Sequence, residues 1–155
     1  MKVINENDLT GTDRDVKFKQ GRSVRMILKK DGMGFSFHKT IIPKGQKGNW
    51  HYKHHKESCY CIKGSGILIN LETKTRYEIN VGDIYILDNH SNHTFESLED
   101  VVLISVFNPP IKGDEILSGR MDIPCQLLLF MIQNLTCTLW LMGFIDILQW
   151  LIAKE

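Results

Sequence analysis

Between Ser23 and Phe107 the chain alternates short apolar-rich runs with turn residues, a pattern that predicts β-strands rather than helices. The runs are Val24 to Leu28, Phe35 to Ile42, Ser58 to Ile62, Ile67 to Leu71, Arg76 to Ile79, Ile84 to Leu87, His93 to Glu96 and Val101 to Phe107. Turn signals separate them at Asp31-Gly32, Pro43 to Gly48, Gly64 to Gly66, Glu72 to Lys74 and Asn80 to Asp83. Strands at this spacing imply an all-β domain, a closed or double-sheet antiparallel barrel of the jelly-roll kind. Ahead of them, residues 1 to about 20 include the polar stretch Gly11 to Val16, which reads as a turn-rich arm or lid, mobile unless a ligand holds it.

The pattern changes at the other end. Ile123 to Ile145 carries no charged residue over 23 positions, and only Asp146, Lys154 and Glu155 of the 37 charged residues lie beyond Asp122. A helix of that length could cross ~30 Å of hydrocarbon. Yet Gln126, Gln133, Asn134, Thr136 and Thr138 interrupt the run, and Arg120 and Lys154 alone flank it, so anchoring signals are weak. We therefore expect a barrel over 1–118 and an atypical apolar, helical tail over 119–155, with membrane contact by 123–152 not favoured. A shifted reading frame, a membrane or partner helix, and an extra core helix are three explanations of the tail.

Composition narrows the function. With 155 residues and 43% hydrophobic composition the chain can bury one real core. A net charge of +1 with interspersed signs offers no basic stripe for phosphates, which argues against nucleic acid as a partner. Met1 to Thr10 lacks the basic and apolar regions of a secretion signal, so we expect a cytoplasmic protein with reduced thiols. Cys59 and Cys61 share a strand face while Cys125 and Cys137 lie in the tail, and neither pair has CxxC spacing; all four are read as packing residues.

The candidate chemistry sits in two segments, Gly45, His51, His54, His55, Glu57, Gly64 and then Gly82, Tyr85, His93. Gly45 to His51 and Glu57 to Gly64 follow the spacing of the first cupin motif, with Lys53 where a second histidine is usual. Gly82 to His93 follows the second, with Asp88 and His90 at its usual proline and inner glycine. Glu57, Tyr85 and His93 would combine carboxylate, phenolate and imidazole, a donor set suited to ferrous iron, Fe(II), with open positions. The plainer reading makes Tyr85 and His93 hydrogen-bonded barrel residues and puts Glu57 on a solvated edge. His51, His54, His55 and His90 compete as ligands, or face solvent, or orient ligands.

Several long colinear segments carry a wider likeness: Gly11 to Val16, Asp31 to Ile42, His51 to Gly66, Val81 to His93 and Val106 to Glu115. Over about residues 10 to 116 the chain resembles the ectoine synthase family of cupin-type enzymes. The resemblance implies a dimeric lyase that closes N4-acetyl-L-2,4-diaminobutyrate, a small-molecule substrate, into ectoine with loss of water, a step in making a compatible solute under osmotic stress. It implies iron ligands Glu57, Tyr85 and His93, and substrate-side residues Arg25, Thr40, Tyr52, Phe107 and Glu115, with Thr40, Tyr52 and Glu115 in catalysis.

Each role has a chemical reason. A Lewis acid on the acetamide oxygen makes an inert carbonyl attackable. The attacking amine must be neutral, and Glu115 is placed to take its proton. Thr40 and Tyr52 would hold the substrate carboxylate and carbonyl, and Phe107 would wall off water. Two positions depart from the family, Gly21 standing for tryptophan and Leu117 for histidine, and from Ile116 the apolar sequence replaces a short acidic tail. These departures keep two other readings open, a non-catalytic solute-binding cupin and another Fe(II)-dependent cupin enzyme.

Overall fold

A computed structural model describes residues 1–113, all within the first compact unit of the chain, Met1–Gly119. Its ten strands are β1 (Asp15–Phe18), β2 (Gly21–Ile27), β3 (Ser36–Ile42), β4 (Lys47–Trp50), β5 (Lys56–Lys63), β6 (Gly66–Asn70), β7 (Arg76–Ile79), β8 (Ile84–Leu87), β9 (His93–Ser97) and β10 (Val101–Asn108). They pair antiparallel in two sheets, one ordered β1-β2-β3-β10-β5-β8 and the other β4-β9-β6-β7. The double-sheet form of the expected barrel is therefore the one adopted. The proposed tail helix, Glu115, Leu117, Cys125 and Cys137 lie outside the described residues. Among the described residues no helix is long and apolar enough to cross a membrane.

Alternation decides what faces inward. In β10 the buried positions are Val101, Leu103, Ser105 and Phe107, every second residue. In β5 the same period buries Cys59 and Cys61 and carries Glu57 in with them. Between the sheets Ile42, Cys61, Leu68, Ile79, Phe95, Val101 and Leu103 form the main core, with Trp50 and Tyr85 packed against it. A smaller cluster of Leu28, Phe107 and Ile111, with Tyr52 against it, closes one end.

Two strands depart from the sequence expectation. The N-terminal arm is not a free lid: Glu6–Leu9 forms a 3-10 turn and β1 pairs with β2 from Asp15↔Val24 to Phe18↔Gly21. Charged residues fasten it, since Arg14 donates to both oxygens of Asp31 at 2.8 and 2.9 Å and to the Met26 carbonyl at 2.9 Å. The Pro43 to Gly48 turn is shorter than expected because β4 starts at Lys47 and pairs with β9. Its glycine is a packing device: a Cβ on Gly48 would meet the Trp50 ring at 2.1 Å, so the indole folds back over the bare backbone. At Gly21 a Cβ would sit 2.1 Å from the Ile41 carbonyl oxygen, so this close approach of β2 to β3 admits no side chain without a backbone shift.

Candidate active site

Strand register builds the site as rows across the large sheet. Cross-strand partners run Arg25↔His38, His38↔Ser105, Ser105↔Cys59 and Cys59↔Tyr85, one continuous row over β2, β3, β10, β5 and β8. The next row holds Phe107↔Glu57 and Glu57↔Leu87, and on the other side lies Thr40↔Leu103. The facing sheet supplies His93, paired with Trp50 across β4 and β9.

These rows close on a small cavity of about 40 Å³. Its polar wall is Tyr52, Glu57, Cys59, Tyr85, His93 and Ser105, and Ile42, Trp50, Phe95 and Leu103 make it apolar elsewhere. The plain reading of Glu57 as a solvated side chain is thus corrected: it is buried, because period-two alternation leaves no outward option for it beside Cys59 and Cys61. Thr40, Arg25 and Phe107 lie outside this cavity's wall. Thr40 is half-buried, Arg25 is buried with Nη1 donating to the Gly113 carbonyl, and Phe107 contacts the Tyr52 ring edge-on at 5.0 Å and the His38 ring at 5.1 Å.

Burial drives Glu57, Cys59, Tyr85 and His93 toward their neutral forms. Desolvation pushes the Glu57 carboxyl up to about 7, against the hydrogen bonds from Cys59 and Ser105. It raises the Cys59 thiol and the Tyr85 phenol far above their ordinary values and lowers the His93 imidazole. His93 Nδ1 donates to the Ser91 carbonyl at 3.0 Å, which leaves Nε2 with the lone pair, the arrangement of a metal-ligating imidazole. The Trp50 indole stacks on the same ring at 6.3 Å and 29°.

Among the described residues no three His, Cys, Asp or Glu side chains cluster as a metal site by themselves. A cation in this cavity would therefore need the Tyr85 phenol as a donor beside Glu57 and His93. That mixed oxygen and nitrogen set suits iron or a similar divalent ion. Of the other histidines, His51 and His54 are exposed, His55 Nδ1 donates to the Pro109 carbonyl at 2.7 Å, and His90 Nδ1 lies 3.0 and 3.1 Å from the carbonyls of Tyr52 and His55. His55 and His90 pin the loop that presents Tyr52. A separate outer cavity is lined by Lys53, His54, Lys56, His90, Asn108 and Pro109.

Sequence reasoning missed Cys59 and Ser105. Cys59 was read as packing, yet its Sγ donates to Glu57 Oε1 at 3.1 Å and meets Ser105 Oγ at 3.1 Å. The available signal was its position two residues from Glu57 on one strand face.

A double sheet with buried donors on its inner rows is the cupin architecture; the Cnp3 cupin domain of Schizosaccharomyces pombe aligns over 61% of this chain and 69% of its own at a TM-score of 0.51 and 16% identity, a likeness of fold alone. The sequence model of the ectoine synthase family matches residues 1–120. L-ectoine synthase of Alkalilimnicola ehrlichii is 43% identical over 117 residues, 75% of this chain and 89% of its own. The crystal structure of ectoine synthase from P. lautus aligns at a TM-score of 0.71 and 33% identity, covering 80% of this chain and 96% of that one. The chain belongs to the ectoine synthase family, and its function is that of an L-ectoine synthase, a hydro-lyase.

Proposed function

We propose that the cavity of Glu57, Tyr85 and His93 is the catalytic centre of this lyase and that ferrous iron is its cofactor. One observation carries the reading: a carboxyl, a phenol and an imidazole, all driven neutral by burial, line a single cavity whose wall includes no Lys or Arg among the described residues. Buried donors of this kind are costly without a partner, and a divalent ion supplies one for all three. Glu57, Tyr85 and His93 would hold the ion, which when bound polarises the acetamide carbonyl of N4-acetyl-L-2,4-diaminobutyrate as a Lewis acid.

The chain's own residues do the rest. Tyr52, braced by Phe107 and by the His90 contact to its carbonyl, offers a hydroxyl to the substrate beside the metal donors. Arg25 is a buried guanidinium at the opposite end of the inner row from Tyr85, suited to a substrate carboxylate that extends beyond the cavity, and Thr40 adds a hydroxyl on the same inner face. Folding nucleophile and carbonyl of one molecule into contact supplies roughly 7–11 kcal/mol in favourable intramolecular cases. Ile42, Trp50, Phe95 and Leu103 keep the cavity dry, which opposes the reverse hydrolysis because water is a product. Glu115, outside the described residues, is assigned from sequence as the base that takes the amine proton.

We also place the enzyme in the cytoplasm as a homodimer serving osmotic protection. Free Cys59 and Cys61 agree with a reducing compartment. Ile84, Ile86, Tyr60 and Ile62 are exposed together on the outer face of β5 and β8, an apolar surface suited to a second copy.

Full-length protein loaded with ferrous iron without oxygen should convert N4-acetyl-L-2,4-diaminobutyrate to ectoine, read by chromatography. Substrate returned intact would refute the assignment of the reaction to this site. Glu57→Ala and His93→Ala should each lose bound iron by elemental analysis, and unchanged iron content would reject the metal reading.

A further inference from the structure

We propose that Cys59 is the positioning residue of the catalytic cavity, its thiol aiming the oxygen donors of Glu57 and Tyr85 at one cation. The inference rests on the reading of that cavity as an iron site, and goes beyond it by giving a role to a side chain that is not among the three donors.

Register puts Cys59 in the inner row between Ser105, opposite it on β10, and Tyr85, opposite it on β8. Glu57 stands two residues away on the same face. The thiol is 1% exposed and lies 3.1 Å from Glu57 Oε1 and 3.1 Å from Ser105 Oγ, and Tyr85, its cross-strand partner, stands close enough for the two groups to interact. Ser105, on the neighbouring β10, interacts with Glu57 too, so the carboxyl is approached from its own strand and from the next.

Counting protons shows what the arrangement provides. A thiol has one hydrogen to give and a sulfur that accepts weakly. In the described geometry the hydrogen goes to Glu57, and the sulfur faces Tyr85 across the β5–β8 pair. A phenolate ligand has no proton of its own to give, so the S–H is the donor in reach of its oxygen, while Ser105 keeps Glu57 oriented. Cys59 thus serves either donor without moving along the strand. Partners of this kind typically change metal affinity 10–100-fold when removed.

Two substitutions separate positioning from packing. Cys59→Val keeps an apolar side chain of similar size and removes the hydrogen-bonding group; Cys59→Ser keeps the group and loses bulk. In the full-length protein, ferrous-iron affinity should fall roughly 10–100-fold in Cys59→Val and stay near wild type in Cys59→Ser. After ferric loading, the phenolate-to-iron charge-transfer band should move to lower energy in Cys59→Val, because the phenolate loses a donor, and return in Cys59→Ser. Cys59→Ala should behave like Cys59→Val, and serves if that variant does not fold. Wild-type affinity and an unmoved band in Cys59→Val or Cys59→Ala overturn the proposal while leaving the iron site intact. Iron retained by Glu57→Ala and His93→Ala, or no charge-transfer band in the wild type, overturns the iron reading and this inference with it.

Discussion

At the scale of single residues, Glu57 shows how much the barrel interior decides. Burial raises its carboxyl from 4.5 to about 7. In metal-free protein the folded state then holds a proton that the unfolded chain has already released, so stability must fall as pH rises from about 4.5 through 7. A shift of that size corresponds to about 3 kcal/mol at most. Urea unfolding of chelator-treated protein should therefore give lower stability at pH 8 than at pH 5, and Glu57→Gln should flatten the difference. An equal slope in the variant would show that another group carries it. That Glu57, Tyr85 and His93 line one cavity was legible because glycine spacing and strand alternation set which way their side chains point. Cys59 and Ser105 were not, because an apolar strand reads the same whether a thiol packs or donates; only the register between β5, β8 and β10 brings their partners together.

At the scale of elements, the strands found from sequence were those whose apolar alternation reports burial, as in β10. The two that escaped, β1 and β4, lie at sheet edges and are held by charge and by glycine rather than by a hydrophobic face. For β1 the consequence is testable. Arg14 and the Leu28 amide hold the Asp31 carboxyl down to about 2, with Asp31 13% exposed and Arg14 12%. Because the folded value lies below the unfolded one, this support is present above about pH 4 and lost as pH falls toward 2. Allowing for solvent screening, Asp31→Asn should cost about 1 kcal/mol near neutral pH and little at pH 2.5, by urea unfolding. Gly21→Ala tests the β2–β3 approach: with Ile41 O at 2.1 Å from the added carbon, it should destabilise by about 1–3 kcal/mol. The same contact means that no larger side chain enters position 21 by substitution alone without moving β3.

At the scale of the whole molecule, the large sheet has an outer face to account for as well as an inner one. Its last strand, β8, is an unpaired edge among the described residues, and it exposes Ile84 at 58% and Ile86 at 63% beside Tyr60 and Ile62. Edge strands are usually protected by charge, proline or a covering element, and among the described residues no covering strand or helix pairs with this edge. The sequence gives the alternation of β8 but not its neighbour, since an outward isoleucine looks the same whether it meets water or a partner. In the homodimer proposed above, a second copy of the chain would cover this face. Ile86→Lys places a charge in the middle of that surface while leaving the inward Tyr85 and Leu87 unchanged. Light scattering coupled to size-exclusion chromatography should then report a dimer for the wild type and a monomer for Ile86→Lys, with iron binding retained in the variant. A dimer of unchanged affinity in Ile86→Lys would move the interface away from β8. Loss of iron with the loss of the dimer would instead tie the cavity to the partner through Tyr85, whose strand both surfaces share.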